Sequence, residues 1–124
     1  MKTETTLTDP ELARQFFADK MMFTTGPVEL SHQIDANETL NIIDVRDAED
    51  FKKGHIPGAK SLPQDQWSHE SNLRRDIVNI LYCYSPVCHL AASAAVQFAE
   101  KGYLVMEMDG CFEVWKEYDL PIEK

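Results

Sequence analysis

The chain has 124 residues, 44% of them hydrophobic, which supports one packed domain and leaves little room for a second. Asp and Glu total 21 against 12 Lys and Arg, and the resulting formal charge of −9 repels phosphate backbones and excludes nucleic acid as a partner. No apolar run approaches the ~20 residues that span a bilayer, and Met1-Lys2-Thr3-Glu4 lacks the pattern of a secretory leader, so a soluble cytoplasmic protein without membrane partners is expected.

The first helix opens at Asp9, placed to cap it, with Pro10 at the first helical position and Glu11 in the first turn. Leu12 and Phe16 share a face. The helix is expected to end near Met21 and to lie outside the sheet, as an extension over residues 1–25 of a single domain whose core is 26–124. Gly26-Pro27 breaks the chain, and Leu30 and Ile34, four apart, predict a short helix over 28–34. Residues 41–45 are a brief apolar run, the pattern of a strand buried on both faces. A polar helix over 47–53 stops at Gly54. Residues 59–62 predict another short strand, and 63–76 a polar connection with a little helix, anchored by Trp67. The strongest strand is 77–83. After Tyr84-Ser85-Pro86-Val87, an alanine-rich helix runs from about 90 to 101 and closes at Gly102. Residues 103–108 form the next strand. Gly110 turns the chain into a last short helix carrying Phe112 and Trp115, ended by Pro121. Strands alternating with helices predict an α/β fold, a parallel sheet with helices on both faces.

The three cysteines are Cys83, Cys88 and Cys111. An odd number in an unexported chain argues for reduced thiols rather than a disulfide framework. Position separates them. Cys83 ends the strongest strand, and in parallel sheets ligands bind at the carboxyl ends of strands. The loop after it enters a helix whose first N–H groups have no intrahelical partners and, with the helix dipole, stabilise negative charge. A thiolate there should titrate below the ordinary cysteine value of about 8.5. The same pattern, by itself, also suits a buried strand cysteine followed by an ordinary connection.

Residues 44–59 read Asp-Val-Arg, four residues, Phe51, two residues, then Gly54-His55-Ile56-Pro57-Gly58-Ala59. This resembles the signature of the rhodanese family, and the strand ending in Cys83, Gly102-Tyr103, Asp109-Gly110 and Trp115 extend the likeness over about residues 28–122. The resemblance implies a rhodanese-like fold with a five-stranded parallel sheet flanked by helices. It also implies a catalytic cysteine at Cys83 that accepts sulfane sulfur as a persulfide and hands it to a thiophilic acceptor. The substrates implied are a small sulfur-containing anion such as thiosulfate and a thiol or cyanide, with no metal and no organic cofactor. The backbone of Tyr84, Ser85, Pro86, Val87, Cys88 and His89 would form the anion cradle.

Departures from the family pattern bear on activity. The glycine common three residues after the cysteine is Pro86, and the arginine common two further on is Cys88. The usual Gly-Gly before the last helix is Gly110-Cys111, with Cys111 read as core. Without a loop arginine, anion binding rests on backbone donors and thiosulfate transfer is expected to be weak. Cys88 admits three readings: packing at the helix start, a resolving thiol for Cys83, or a metal ligand with Cys83 and His89, at a spacing that matches no common zinc pattern. His89 is otherwise a polar neighbour that helps keep Cys83 ionised. Arg46 is read as bridging to Asp50 rather than binding substrate, Asp44 as holding a loop or cap, His55 as a satisfied structural histidine, and Gly54 and Gly58 as shaping the turns.

Two rivals stand beside the sulfurtransferase or persulfide carrier. One is a non-catalytic rhodanese-like binding or redox-sensing module, favoured by the altered loop. The other is phosphatase or arsenate reductase chemistry, which needs an arginine where His89 stands. Either a monomer or a homodimer fits the sequence.

Overall fold

The computed structural model describes residues 9–124; the reading of Met1-Lys2-Thr3-Glu4 lies outside them. Helix α1 (Pro10–Phe23) begins as its sequence requires, with Asp9 Oδ1 accepting from the Glu11 N–H at 2.9 Å and Pro10 leading the first turn. It runs two residues past Met21 and buries none of its residues. Leu12 (69% exposed) and Phe16 (62%) face solvent.

The chain then adds a strand the sequence did not announce, β1 (Thr24–Thr25). Two threonines carry no apolar run. They become a strand because the edge beside β5 (Val105–Met108) offers backbone partners, Thr24 opposite Glu107 and Thr25 opposite Met108. The remaining elements are α2 (Pro27–Asp35), β2 (Asn41–Asp44), α3 (Ala48–Lys53), β3 (Lys60–Ser61), a 3-10 helix (Gln64–His69), β4 (Asn79–Tyr82), α4 (Leu90–Glu100) and α5 (Cys111–Glu117).

The five strands form one sheet in the order β1-β5-β4-β2-β3, and every pairing is parallel, as expected. The central strand is β4, buried at all four positions, which is why its sequence is a continuous apolar run broken only by Asn79. Asn79 and Asn41 satisfy one another: Asn41 Nδ2 donates to Asn79 Oδ1 at 2.7 Å. Helix α4 packs on β4 and β5 through Ala91, Ala94 and Phe98, and α5 packs against α2. Ile43, Leu81, Phe98, Met108 and Trp115 are fully buried in the core. Among the described residues, no helix is long and apolar enough to cross a membrane.

This topology brings the carboxyl ends of β2, β4 and β5 side by side. Residues 44–47, 83–89 and 109–111 follow those ends, so three stretches far apart in sequence share one rim of the sheet.

Candidate functional site around Cys83

On one side of the rim, the turn after β2 is held by a buried charge network. Asp44 is wholly buried and Arg46 is 5% exposed. Arg46 Nε and Nη2 donate to Asp44 Oδ1 and Oδ2 at 3.0 and 2.8 Å, in a bidentate fork. Arg46 Nη2 also donates to the Gly54 carbonyl at 2.7 Å. The Tyr82 hydroxyl donates to Asp44 Oδ2 at 2.7 Å and accepts from the Ile56 N–H at 3.1 Å. Arg46 thus pairs with Asp44, not with Asp50. The tight turn after β2 returns the guanidinium over the carboxylate two residues before it, while Asp50 on α3 receives the Tyr84 hydroxyl at 2.6 Å. His55 stacks on Phe51 with ring centroids 3.7 Å apart, and its Nδ1 lies 2.8 Å from the Phe51 carbonyl. Gly58, at φ 83°, sits in the left-handed region that favours glycine.

On the other side stands Cys83, immediately after β4 and fully buried. Its Sγ is 3.4 Å from Cys111 Sγ and 3.6 Å from the Cys88 carbonyl oxygen. Its N–H donates to Cys111 Sγ at 3.1 Å. The thiol is pulled down to about 5: the Cys111 thiol donating to it has the largest influence, burial opposes it, and the N–H groups of Ala91 and Tyr84 and the Cys88 thiol add to it. Ala91 is the second residue of α4, so an unpartnered N–H of that helix start takes part. Cys111 moves the other way; donating to Cys83, with burial, pushes its thiol well above the ordinary range.

The start of α5 explains how Cys111 comes to be there. The N–H groups of Phe112 and Glu113, unpartnered within the helix, donate to the carbonyls of Cys83 and Tyr84 at 3.1 and 2.9 Å. Gly110, at φ 81°, makes the sharp turn before the helix; a Cβ there would lie 2.6 Å from the Val114 Cβ. The guanidinium of Arg46 lies over the Phe112 ring at 4.1 Å, joining the charge network to the same helix.

The loop residues divide by orientation. The Tyr84 hydroxyl is spent on Asp50 and on the Asp47 N–H. The Cys88 N–H closes a turn onto the Ser85 carbonyl at 3.1 Å, and Cys88 Sγ accepts from the Leu90 N–H at 3.4 Å. Val87 is 86% exposed, and His89 is exposed at the N-cap of α4. Ser85 and Pro86 border a cleft of about 290 Å³ completed by Glu107, Asp109, Gly110 and Cys111. Its side-chain charge is acidic. Burial, and then the Cys83 charge, push the Glu107 carboxyl above the usual carboxylate range, while Asp109 has Lys20 at 3.7 Å. Among the described residues, no three His, Cys, Asp or Glu side chains cluster in a way that would hold a metal ion.

Two participants escaped the sequence reading. Ala91 carries no side-chain signal. Cys111 was read as core and is buried there, 2% exposed, but its contact with the Cys83 sulfur went unread, although its place in the usual Gly-Gly position was visible.

The model of the rhodanese-like domain family matches residues 26–118. The thiosulfate sulfurtransferase GlpE of Shewanella oneidensis is 30% identical over 89 residues, which are 68% of this chain and 84% of that protein. An HTH-type transcriptional regulator of Mycobacterium tuberculosis is 29% identical over 97 residues, but this chain spans only 42% of its length. Among solved structures, the BH2092 protein of Bacillus halodurans matches with a TM-score of 0.85 and 34% identity, covering 93% of this chain and 86% of that one. The parallel five-stranded sheet agrees with the structural match, and the chain belongs to the rhodanese-like domain family.

Proposed function

We propose that this protein transfers sulfane sulfur through a persulfide on Cys83. The observation that carries the reading is the placement of Cys83 Sγ after the central strand, 3.4 Å from the Cys111 thiol, a setting that pulls its pKa down to about 5 and favours the thiolate near neutral pH. A thiolate is the nucleophilic form of cysteine. It attacks the outer sulfur of a donor, the donor's sulfur bond breaks, and the leaving group departs as an anion, sulfite when the donor is thiosulfate. The donors that held the thiolate then hold the persulfide anion. A thiol acceptor, as its thiolate, removes the outer sulfur and restores the Cys83 thiolate. The similarity to GlpE, named a thiosulfate sulfurtransferase, supports this reaction class.

The surroundings favour some donors over others. Glu107 and Asp109 line the neighbouring cleft with no Lys or Arg among its lining residues, and the chain carries −9 overall. A dianion is repelled there, so an organic persulfide, with at most one charge on its sulfur, is the better donor and thiosulfate the poorer one. A second reading, a redox-sensing module without turnover, draws support from the complete burial of Cys83, since a donor must displace part of the 84–89 loop to reach it.

Intact mass spectrometry separates the two. Reduced protein treated with an organic persulfide should gain one sulfur, about 32 Da, on Cys83, and Cys83→Ser should gain none. Thiosulfate should load the same residue more slowly. No adduct from either donor, in the wild type or in Cys111→Gly, would discard the transfer reading and leave the sensor.

A further inference from the structure

The sulfur closest to Cys83 comes from a residue 28 positions later in the chain, at a place where a side chain is conformationally disfavoured. Cys111 lies at φ 54°, in the left-handed region. An L-residue with a Cβ is disfavoured there relative to glycine. The strain is offset by the helix-start hydrogen bonds of Phe112 and Glu113 to the carbonyls of Cys83 and Tyr84, which leave this position little freedom. The product of that conformation is a thiol 3.4 Å from Cys83 Sγ that also lines the adjoining cleft. A disulfide needs about 2.05 Å between sulfurs, so the two sulfurs must approach by a further ~1.3 Å to bond. Cys88 is placed differently: its carbonyl lies 3.6 Å from Cys83 Sγ, its thiol bears on Cys83 less than the Cys111 thiol does, and its sulfur accepts the Leu90 N–H.

We propose that Cys111 is the resolving thiol of this domain: it discharges the Cys83 persulfide as sulfide and leaves a Cys83–Cys111 disulfide. This rests on the persulfide-carrier reading above and adds a second exit for the sulfur. In the step, the Cys111 proton passes to the outer sulfur of the persulfide, Cys111 Sγ attacks Cys83 Sγ as a thiolate, and the bond between Cys83 Sγ and the outer sulfur breaks, so that sulfur leaves as HS⁻. One negative charge stands on each side. The sulfane sulfur gains two electrons, and the two cysteine sulfurs together lose them. A dithiol reductant then opens the disulfide by two thiol exchanges and returns both cysteines to the reduced state. The domain becomes a sulfide-releasing persulfide reductase whenever its acceptor is absent.

The test follows the loaded protein after its donor is gone. Reduced wild type, Cys111→Gly and Cys111→Ser are loaded with an organic persulfide at mildly alkaline pH, where Cys83 is ionised with or without its neighbour, and desalted. Glycine suits the left-handed backbone, so Cys111→Gly should fold; serine checks that side-chain volume is not the cause. The wild type should convert to a species about 2 Da lighter than the reduced protein, release one equivalent of sulfide and yield a Cys83–Cys111 linked peptide. Both Cys111 variants should keep the sulfur adduct and lose sulfide release. A wild type that keeps its adduct as long as the variants overturns the resolving role and leaves the carrier reading intact. Retention of the sulfur by Cys88→Ser, with discharge in the Cys111 variants, overturns it in favour of Cys88. Absence of an adduct in every protein, the Cys111 variants included, removes the carrier reading and this one with it.

Discussion

Tyr82 and Cys83 are consecutive, yet they serve two regions built on opposite principles. Tyr82 reaches into the 44–58 turn, where each buried charge has its partner: Asp44 accepts from Arg46 and Tyr82, and Arg46 from its other edge satisfies the Gly54 carbonyl. Cys83 turns to a pocket of sulfur and backbone, with the Cys111 sulfur at 3.4 Å and the Cys88 carbonyl at 3.6 Å and, among the described residues, no ion pair. The first region resists change because any movement leaves a buried charge unpaired. The second can change its bonding without that penalty, which is what a nucleophile that must gain and lose a sulfur requires. Arg46 over the Phe112 ring connects the two, so the rigid turn also braces the helix that presents Cys111.

The sharpest way to break this contrast is Asp44→Ala. It leaves the Arg46 guanidinium buried without its carboxylate and should destabilise the protein by about 3–5 kcal/mol, read as a lower urea midpoint at unchanged slope. A loss below about 1 kcal/mol would mean that the turn is not the rigid half. Tyr82→Phe removes one hydroxyl that both donates to Asp44 and accepts from Ile56, and should be destabilising by about 1–3 kcal/mol in the same measurement. A fully neutral result would show that water or a relaxed turn replaces those bonds.

The sulfur pocket is tested by pH. Cys83 alkylation by a small reagent should follow a midpoint of about 5, and Cys111→Gly, which deletes the leading donor, should move that midpoint upward. The stability consequence has a definite sign. The native pKa of Cys83 is depressed below the unfolded value of about 8.5, so its contribution is complete above that value and is lost as pH falls through about 5. The stability difference between wild type and Cys83→Ser should therefore grow from about pH 5 to pH 8.5. Above that range the raised Cys111 acts in the opposite sense, and stability falls as pH climbs. A difference that is flat with pH would show that Cys83 is an ordinary thiol. The smallest effect belongs to the rim: Glu123 is 56% exposed and 3.7 Å from His55 Nε2, so Glu123→Gln, which keeps an acceptor for the Gly58 N–H, should change stability by less than about 1 kcal/mol.

Local signals in the chain were sufficient for much of this. The Asp9-Pro10 start of α1, the apolar runs at 41–45 and 77–83, the glycine after α4 and the 44–59 motif each act over a few residues, and each element formed near where its residues place it, giving four of the five strands of the parallel sheet. Strand β1 was not legible, because Thr24 and Thr25 become a strand only when the edge of β5 supplies their hydrogen bonds. The partner of Arg46 was misjudged for a related reason: Asp44 and Asp50 are both near in sequence, and the tight turn of the backbone chooses between them. The sequence by itself determined the alternating elements and marked Cys83 as the residue at the end of the central strand. That Cys111 meets it was decided by the tertiary structure alone, since 28 residues of helix, strand and turn must fold back before α5 can donate to the Cys83 and Tyr84 carbonyls, and no local pattern encodes the contact of two sulfurs so far apart along the chain.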